Sequence, residues 1–402
     1  MAAKPCILFT AFEPSGDEHA ASVISELRRL RPDVPIMALG GPAMRDAGAT
    51  LIEATTDRAA MLTGSVGKVR EQLAIRRRFA AWLEQHPVAV HVPTDSPAAN
   101  WWFCKVVKRR SEGAKVVHFV APQVWAWAQW RVRRLQKWSD LVLCVLPFEP
   151  AWFAQHGVAA RFIGHPLFDH GLEDESLRWE AVSYANGSPK LALLPGSRPG
   201  EIAANWPLML EVWRRLRARH PRLEAIVAAA GQAAATQLRD LTPTPTEHLR
   251  IVASRTDAVL RWAEVVLTVS GTATLHVTRH GKPMVVLYRV SPAQWHGFGR
   301  WLMRTRTFTL PNLIAAGGPT MSDGSHIVRE FVPFTGGAED VGPIVQELST
   351  LIDDPVRRSR QVEALARVVA LFEGHHAGHE AAGIICGLYD EQCRMPSHLR
   401  SV

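Results

Sequence analysis

Residues 190–201 of this 402-residue chain read K-L-A-L-L-P-G-S-R-P-G-E. The apolar run Leu191–Leu194 is too short for a helix and reads as a buried parallel strand, which Pro195 and Gly196 then break. Gly196 lets the backbone approach a ligand closely, and free amides opening the next helix favour anions. Arg198 adds a permanent charge with a planar fork suited to phosphate, with Ser197 and Glu201 beside it. A second turn, Ser270-Gly271-Thr272, follows Val265–Val269 and offers amides and hydroxyls for another phosphate. In the first half, turns carry carboxylates and hydroxyls: Glu13-Pro14-Ser15-Gly16-Asp17, and Thr94-Asp95-Ser96-Pro97. Ser15, Asp95 and Ser270 fit helix caps equally well, the commoner use of such residues. His276 and His280 sit four apart, and His375, His376 and His379 lie beside Glu373 and Glu380. Neither group has the H-E-x-x-H arrangement, so no metal is expected.

The elements that must position these turns alternate in type. Strands are expected at Cys6–Ala11, Pro35–Leu39, Val88–Val92, Lys115–Val120 and Leu141–Leu146. A second run is expected at Leu191–Leu194, Leu223–Ala229, Leu249–Val252, Val265–Val269 and Met284–Tyr288. Helical periodicity falls between most of them, for example at Ala20–Leu30, Arg70–Glu84 and Trp206–Arg219. This rhythm predicts an α/β protein with parallel sheets covered on both faces, in two doubly wound domains. The expected division is 1–172, a linker at 173–189, 190–345, and C-terminal helices over 346–402 that pack back on the first domain. Ligands in such folds sit at carboxyl ends of strands, here expected in the cleft between domains.

At 402 residues two domains are the natural expectation, and 47% hydrophobic with 21% charged residues describes a globular chain. No run approaches the ~18 apolar residues that span a bilayer, and Met1–Asp17 reads as a first strand, not a signal peptide. Five cysteines, an odd count without metal spacing, argue against a disulfide framework and for a cytoplasmic protein. The net charge of +8 is concentrated: Trp101–Trp138 holds nine basic residues against Glu112 alone, with six of the 14 tryptophans. Interleaved Trp and basic residues suit an anionic membrane surface, with Trp101, Trp102, Lys105, Lys108 and Arg109 as the membrane-facing candidates. A solvated basic face over core tryptophans is the alternative. No nucleic-acid-binding motif is present, so nucleic acid is not an expected partner.

In order along the chain stand E-P-S-G-D (Glu13–Asp17), G-G-P-A-M (Gly40–Met44), A-P-Q-V-W-A-W (Ala121–Trp127) and L-P-F-E (Leu146–Glu149). F-I-G-H-P (Phe162–Pro166), L-L-P-G-S-R-x-x-E (Leu193–Glu201), S-G-T-A-T-L (Ser270–Leu275) and L-P-N-L (Leu310–Leu313) follow. Together they resemble the lipid-A-disaccharide synthases, inverting glycosyltransferases of the two-domain GT-B fold. The resemblance implies transfer of diacylglucosamine from UDP-2,3-diacylglucosamine to 2,3-diacylglucosamine 1-phosphate, with release of UDP. It implies no cofactor beyond the UDP-sugar donor, peripheral attachment at the inner face of the inner membrane, and leaves a homodimer open. Asp95, at the first acid of the family's D-x-P-D-F motif, is the implied base. Gly196, Ser197, Arg198, Glu201, Ser270, Gly271, Thr272 and His276 are the implied UDP side. Glu13, Ser15, Gly16, Asp17, Gln123 and Trp125 are the implied acceptor side.

The chain departs from that pattern at three acids. Arg70 replaces the last residue of M-G-x-x-E, Ala98 the second acid of D-x-P-D-F, and His276 the Glu of S-G-T-x-x-x-E. A GT-B Glu at the last position typically binds the nucleotide ribose. The loss leaves two other readings: a glycosyltransferase with another UDP-sugar or acceptor, and a paralogue that binds lipid or nucleotide without turnover.

Overall fold

A computed structural model describes residues 4–55, 65–169, 171–172, 175–184, 186–242, 246–291, 307–319 and 326–394, with side chains of 65–69 excepted. The chain divides into two units, one of residues 1–169 with 374–402, the other of residues 170–373.

The first unit is built on a seven-stranded parallel sheet. Its strands are β1 (Cys6–Thr10), β2 (Ile36–Gly40), β3 (Thr50–Ala54), β4 (Val88–Pro93), β5 (Lys115–Phe119), β6 (Leu141–Cys144) and β7 (Ala160–Phe162). They lie in the order β3-β2-β1-β4-β5-β6-β7. Strands β1 and β4 are buried along their whole length, which is why they read as continuous apolar runs. The helix Pro14–Leu30 lays Ala20, Val23, Ile24 and Leu27 on one side of this sheet. The last described helix, Ala377–Arg394, joins the same core through Ala377, Ala381, Ile385 and Tyr389. Asp169 fastens its start, accepting hydrogen bonds from the amides of Ala377 (2.8 Å) and Gly378 (2.9 Å). Phe79, Leu83, Phe103 and Val107 fill the other face.

In the second unit β8 (Lys190–Leu194), β9 (Glu224–Ala229), β10 (Leu249–Ala253), β11 (Val265–Thr268), β12 (Met284–Arg289) and β13 (Arg329–Phe334) form another parallel sheet. Its order is β10-β9-β8-β11-β12-β13. Helices Pro199–Arg219 and Gly342–Asp353 cover one face, Thr256–Trp262 and Thr272–Arg279 the other. In each sheet the strand order reverses beside the first strand, between β1 and β4 and between β8 and β11. That reversal splays the connecting loops apart and leaves a crevice at the carboxyl ends of the two strands.

All ten expected strands are present within a residue or two of their expected ends. The stretch expected as a linker contains the helix Glu175–Val182; residues 173, 174 and 185 lie outside the described residues. Of the C-terminal helices, Gly342–Asp353 and Pro355–Ala370 belong to the second unit, and Ala377–Arg394 to the first.

Candidate functional site

In the first unit the crevice lies between the turns after β1 and β4. The backbone leaves β1 through Ala11-Phe12-Glu13 and enters the helix at Pro14, whose missing N–H costs nothing there. Gly16 is buried against the neighbouring turn: a Cβ on it would lie 3.2 Å from Ala11 Cβ and 3.3 Å from the Thr94 carbonyl. This close approach lets Ser15 Oγ donate to Asp95 Oδ2 at 3.1 Å. Asp95 and Ser96 both take the left-handed backbone, φ +50° and +36°, uncommon for residues with a Cβ. Asn100 holds them there. Its amide donates to the carbonyls of Asp95 (2.9 Å) and Thr94 (3.3 Å), and its Oδ1 accepts from Thr10 Oγ1 at 2.6 Å. Thr10 has then spent its proton, so it accepts from His91 Nε2, 2.9 Å away. Burial drives His91 down to about 3 and the neighbouring His118 to about 4, so both are neutral near pH 7. The outcome is a half-buried carboxylate at a strand end, stiffened from beneath by a dry polar cluster.

Other expected acceptor-side residues serve the fold. Asp17 is buried, and its carboxylate accepts from the amides of Gly41 (2.8 Å), Ala43 (3.0 Å) and Met44 (3.2 Å). It caps the short helix Pro42–Asp46, so its charge is not offered to a ligand. Trp125 is 1% exposed and its indole donates to Glu149 at 3.0 Å. Glu149 is wholly buried, also accepts from the Leu146 amide at 3.0 Å, and is pushed up to about 8 by burial. Glu13 and Gln123 are exposed near the ends of β1 and β5.

The membrane-facing candidates need a correction. Trp101 is 7% exposed and belongs to the core beside His118, 6.0 Å between ring centres. Trp102 stacks on edge with Phe79 and Phe103, and Lys108 is paired with Asp140. Helix periodicity explains it: Pro97–Arg110 turns its indoles inward and Arg109 and Arg110 outward, Lys105 lying half-buried between. Within Trp101–Trp138 the exposed indoles are Trp127 (42%) and Trp130 (59%); outside that segment Trp179 is 75% exposed. Arg131 lies 4.0 Å from the Trp127 ring centre, and Arg134 5.5 Å from that of Trp130.

In the second unit a pocket of about 350 Å³ opens at the carboxyl ends of β8 and β11. Gly196, Ser197, Arg198, Glu201, Ser270, Gly271, Thr272 and His276 all line it. Gly196 has φ +110°, and Gly271 φ +123°, backbone that residues with a Cβ rarely adopt. Arg198 is largely exposed, its Nη1 donating to Glu201 Oε1 at 3.1 Å. Glu201 also accepts from Tyr288 at 3.5 Å, so its part is to steady the turn and aim Arg198. The Ser270 hydroxyl donates to the Phe308 carbonyl at 2.8 Å, leaving its lone pairs and the nearby helix amides for a ligand. Among the described residues no side chain caps the start of the helix Thr272–Arg279, whose N-cap is Gly271. Exposed arginine, two glycine turns and an uncapped helix end make an anion-accepting wall.

A larger hollow of about 1110 Å³ lies at the other end of this sheet, beside Pro189, Arg222, Glu264 and Pro283. Three of its cations are occupied: Lys282 donates to the carbonyls of Arg261 and Ala263, Arg358 to those of Leu351 and Ile352, and Arg219 to Ser349 Oγ; Arg222 is exposed. Among the described residues no group of three His, Cys, Asp or Glu is placed to hold a metal. The histidines pair elsewhere, His280 with Asp257, His375 with Glu380 and His379 with Glu26. Asp257 is a residue the sequence reading missed; the i, i+4 spacing of His276 and His280 was its one signal, since such a pair can share a carboxylate as well as a metal.

Two reversed-order parallel sheets with sites at their switch points define the GT-B class of glycosyltransferase fold. Solved structures agree. The UDP-GlcNAc 2-epimerase from Neisseria meningitidis bound to UDP-GlcNAc matches with TM-score 0.64 and 12% identity, over 96% of this chain and 99% of that one. The glycotransferase of kitacinnamycin matches with TM-score 0.60 and 15% identity, over the same shares. A fold shared by an epimerase and a transferase does not choose the reaction. Sequence does. The Lipid-A-disaccharide synthetase family matches residues 7–360. The lipid-A-disaccharide synthase of Pseudomonas entomophila (strain L48) is 34% identical over 394 residues, 97% of this chain and 100% of that protein. The chain belongs to the lipid-A-disaccharide synthetase family and is a glycosyltransferase.

Proposed function

We propose that the chain joins diacylglucosamine from UDP-2,3-diacylglucosamine to 2,3-diacylglucosamine 1-phosphate, making the lipid A disaccharide and releasing UDP. The observation that carries this reading is the family match over residues 7–360, which spans every residue of both crevices. In the proposed chemistry the acceptor hydroxyl attacks the anomeric carbon as the bond to UDP breaks, and configuration inverts. Asp95 takes the hydroxyl proton, with Ser15 bonded to its carboxylate and Asn100 holding its backbone. Arg198 and the amides around Gly196 and Gly271 hold the departing diphosphate as its charge grows. No metal enters this account.

Membrane attachment is part of the proposal, because both substrates carry acyl chains. No helix among the described residues is long and apolar enough to cross a membrane. The patch of Trp127, Trp130, Arg131 and Arg134 supports peripheral binding at the cytoplasmic, anionic face instead. A second reading, another sugar or acceptor, is favoured by exposed Ala98 and Arg70 where the family has acids.

The test is turnover. Purified protein given both substrates should yield disaccharide and UDP in equal amounts; UDP binding without disaccharide would move the reading to other substrates, and neither would remove it. Asp95→Asn should lower kcat by about a hundredfold or more while leaving UDP affinity intact. Full activity in that variant would dismiss Asp95 as the base.

A further inference from the structure

The pocket of the second unit has a polar feature that diphosphate binding leaves unused. His276 lines it one turn beyond Gly271 and Thr272. Four residues of helix carry it about 6 Å along the axis, the scale of one step from a phosphate at the helix end to the next ring of a ligand. Its Nδ1 is buried, has no hydrogen-bond partner among the described residues, and lies 3.8 Å from Asp257 Oδ1. Asp257, in the first turn of Thr256–Trp262, accepts a hydrogen bond from His280 Nε2 at 2.9 Å. Burial lowers His280, so it serves as a neutral donor and leaves Asp257 its negative charge, which the neighbouring Arg279 also feels. The two imidazoles hold the Asp257 carboxyl far below the usual carboxylate range, so that charge persists. A carboxylate on one side of an imidazole draws the ring proton to that side and makes the other nitrogen an acceptor.

We infer that Asp257 is a positioning residue that sets the His276 ring with Nδ1–H toward itself and Nε2 as the acceptor for a ribose hydroxyl of the bound nucleotide. This rests on the reading of the pocket as a UDP site. The chain then recognises ribose with a neutral acceptor and keeps the negative charge one layer behind, away from the diphosphate.

The experiment compares UDP with 2′,3′-dideoxy-UDP by titration calorimetry on the full chain. Wild type should bind UDP about tenfold tighter, the worth of one hydrogen bond whose loss strands a lone pair. His276→Ala should bind the two alike, and Asp257→Asn should narrow the preference to about threefold. The imidazole 15N signals of His276 should show protonated Nδ1 in the wild type and a mixed tautomer in Asp257→Asn, a change that loosened packing alone would not produce. Equal binding of both ligands by the wild type overturns the inference without needing any variant to fold. So does a preference that survives in His276→Ala. UDP left unbound by the wild type overturns the nucleotide reading of the pocket and this inference with it.

Discussion

Glu149 illustrates how a motif residue can matter without touching a substrate. Its carboxyl has no access to water and holds the Trp125 indole and the Leu146 amide. Burial raises it to about 8, against an ordinary value of 4.5. Between those values the native state keeps a proton that the unfolded chain gives up, so stability falls as pH rises through that window. Thermal melts from about pH 5 to about pH 8 should show this decline, and Glu149→Gln should flatten it; equal slopes would deny the coupling. His91 and His118 act in the opposite sense. Both are lowered, to about 3 and about 4, so their stability contribution is complete above about 6.5 and is lost as pH falls toward those values. In acid-titration melts His118→Phe should move the midpoint to lower pH. At this scale the sequence displayed Asp95, Gly196 and Arg198 correctly as turn residues at strand ends. It could not display that Asp17 and Trp125 face inward, because a buried polar contact depends on partners 24 or more residues away, as with Trp125 and Glu149.

At the scale of elements, legibility followed position in the sheet. The three strands that the sequence pattern does not show are β3, β7 and β13, and each is a sheet edge; of the four edges β10 alone is legible. An edge strand is half exposed, so Glu53, Arg161, Arg329 and Glu330 interrupt the apolar run by which a central strand announces itself. The turns have their own energetics. Asn100 clamps two left-handed residues and gives Thr10 its acceptor, so Asn100→Ala should cost about 1–3 kcal/mol in chemical denaturation. It should also lower kcat with little change in KM, since the base is displaced and the binding surface is not. At Gly196, φ +110° and a Glu201 Cβ 3.0 Å from any new methyl group set a different cost. Gly196→Ala should lose about 1–3 kcal/mol of stability together with UDP affinity. An alanine variant as stable as the wild type would show that this turn is not strained.

For the whole molecule, the surface patch and the chain's return path carry the consequences. Replacing Trp130, Arg131 and Arg134 by serine should reduce flotation on anionic vesicles by about fivefold for each arginine, with the difference vanishing at high salt. Wild-type protein that fails to bind such vesicles even at low salt would end the membrane reading. Among the described residues, 170–373 hold two cores of their own, whereas the first unit shares its core with Ala377, Ala381, Ile385 and Tyr389.

That sharing sets an order of events during synthesis. The segment 170–373 is contiguous, and all of its core is available before the ribosome reaches the last helix. The first unit begins earlier but waits for Ala377–Arg394 to cover Val23, Ile24 and Leu27. The half of the protein made first is therefore the half finished last, and its uncovered sheet face is the surface a chaperone would meet on the nascent chain.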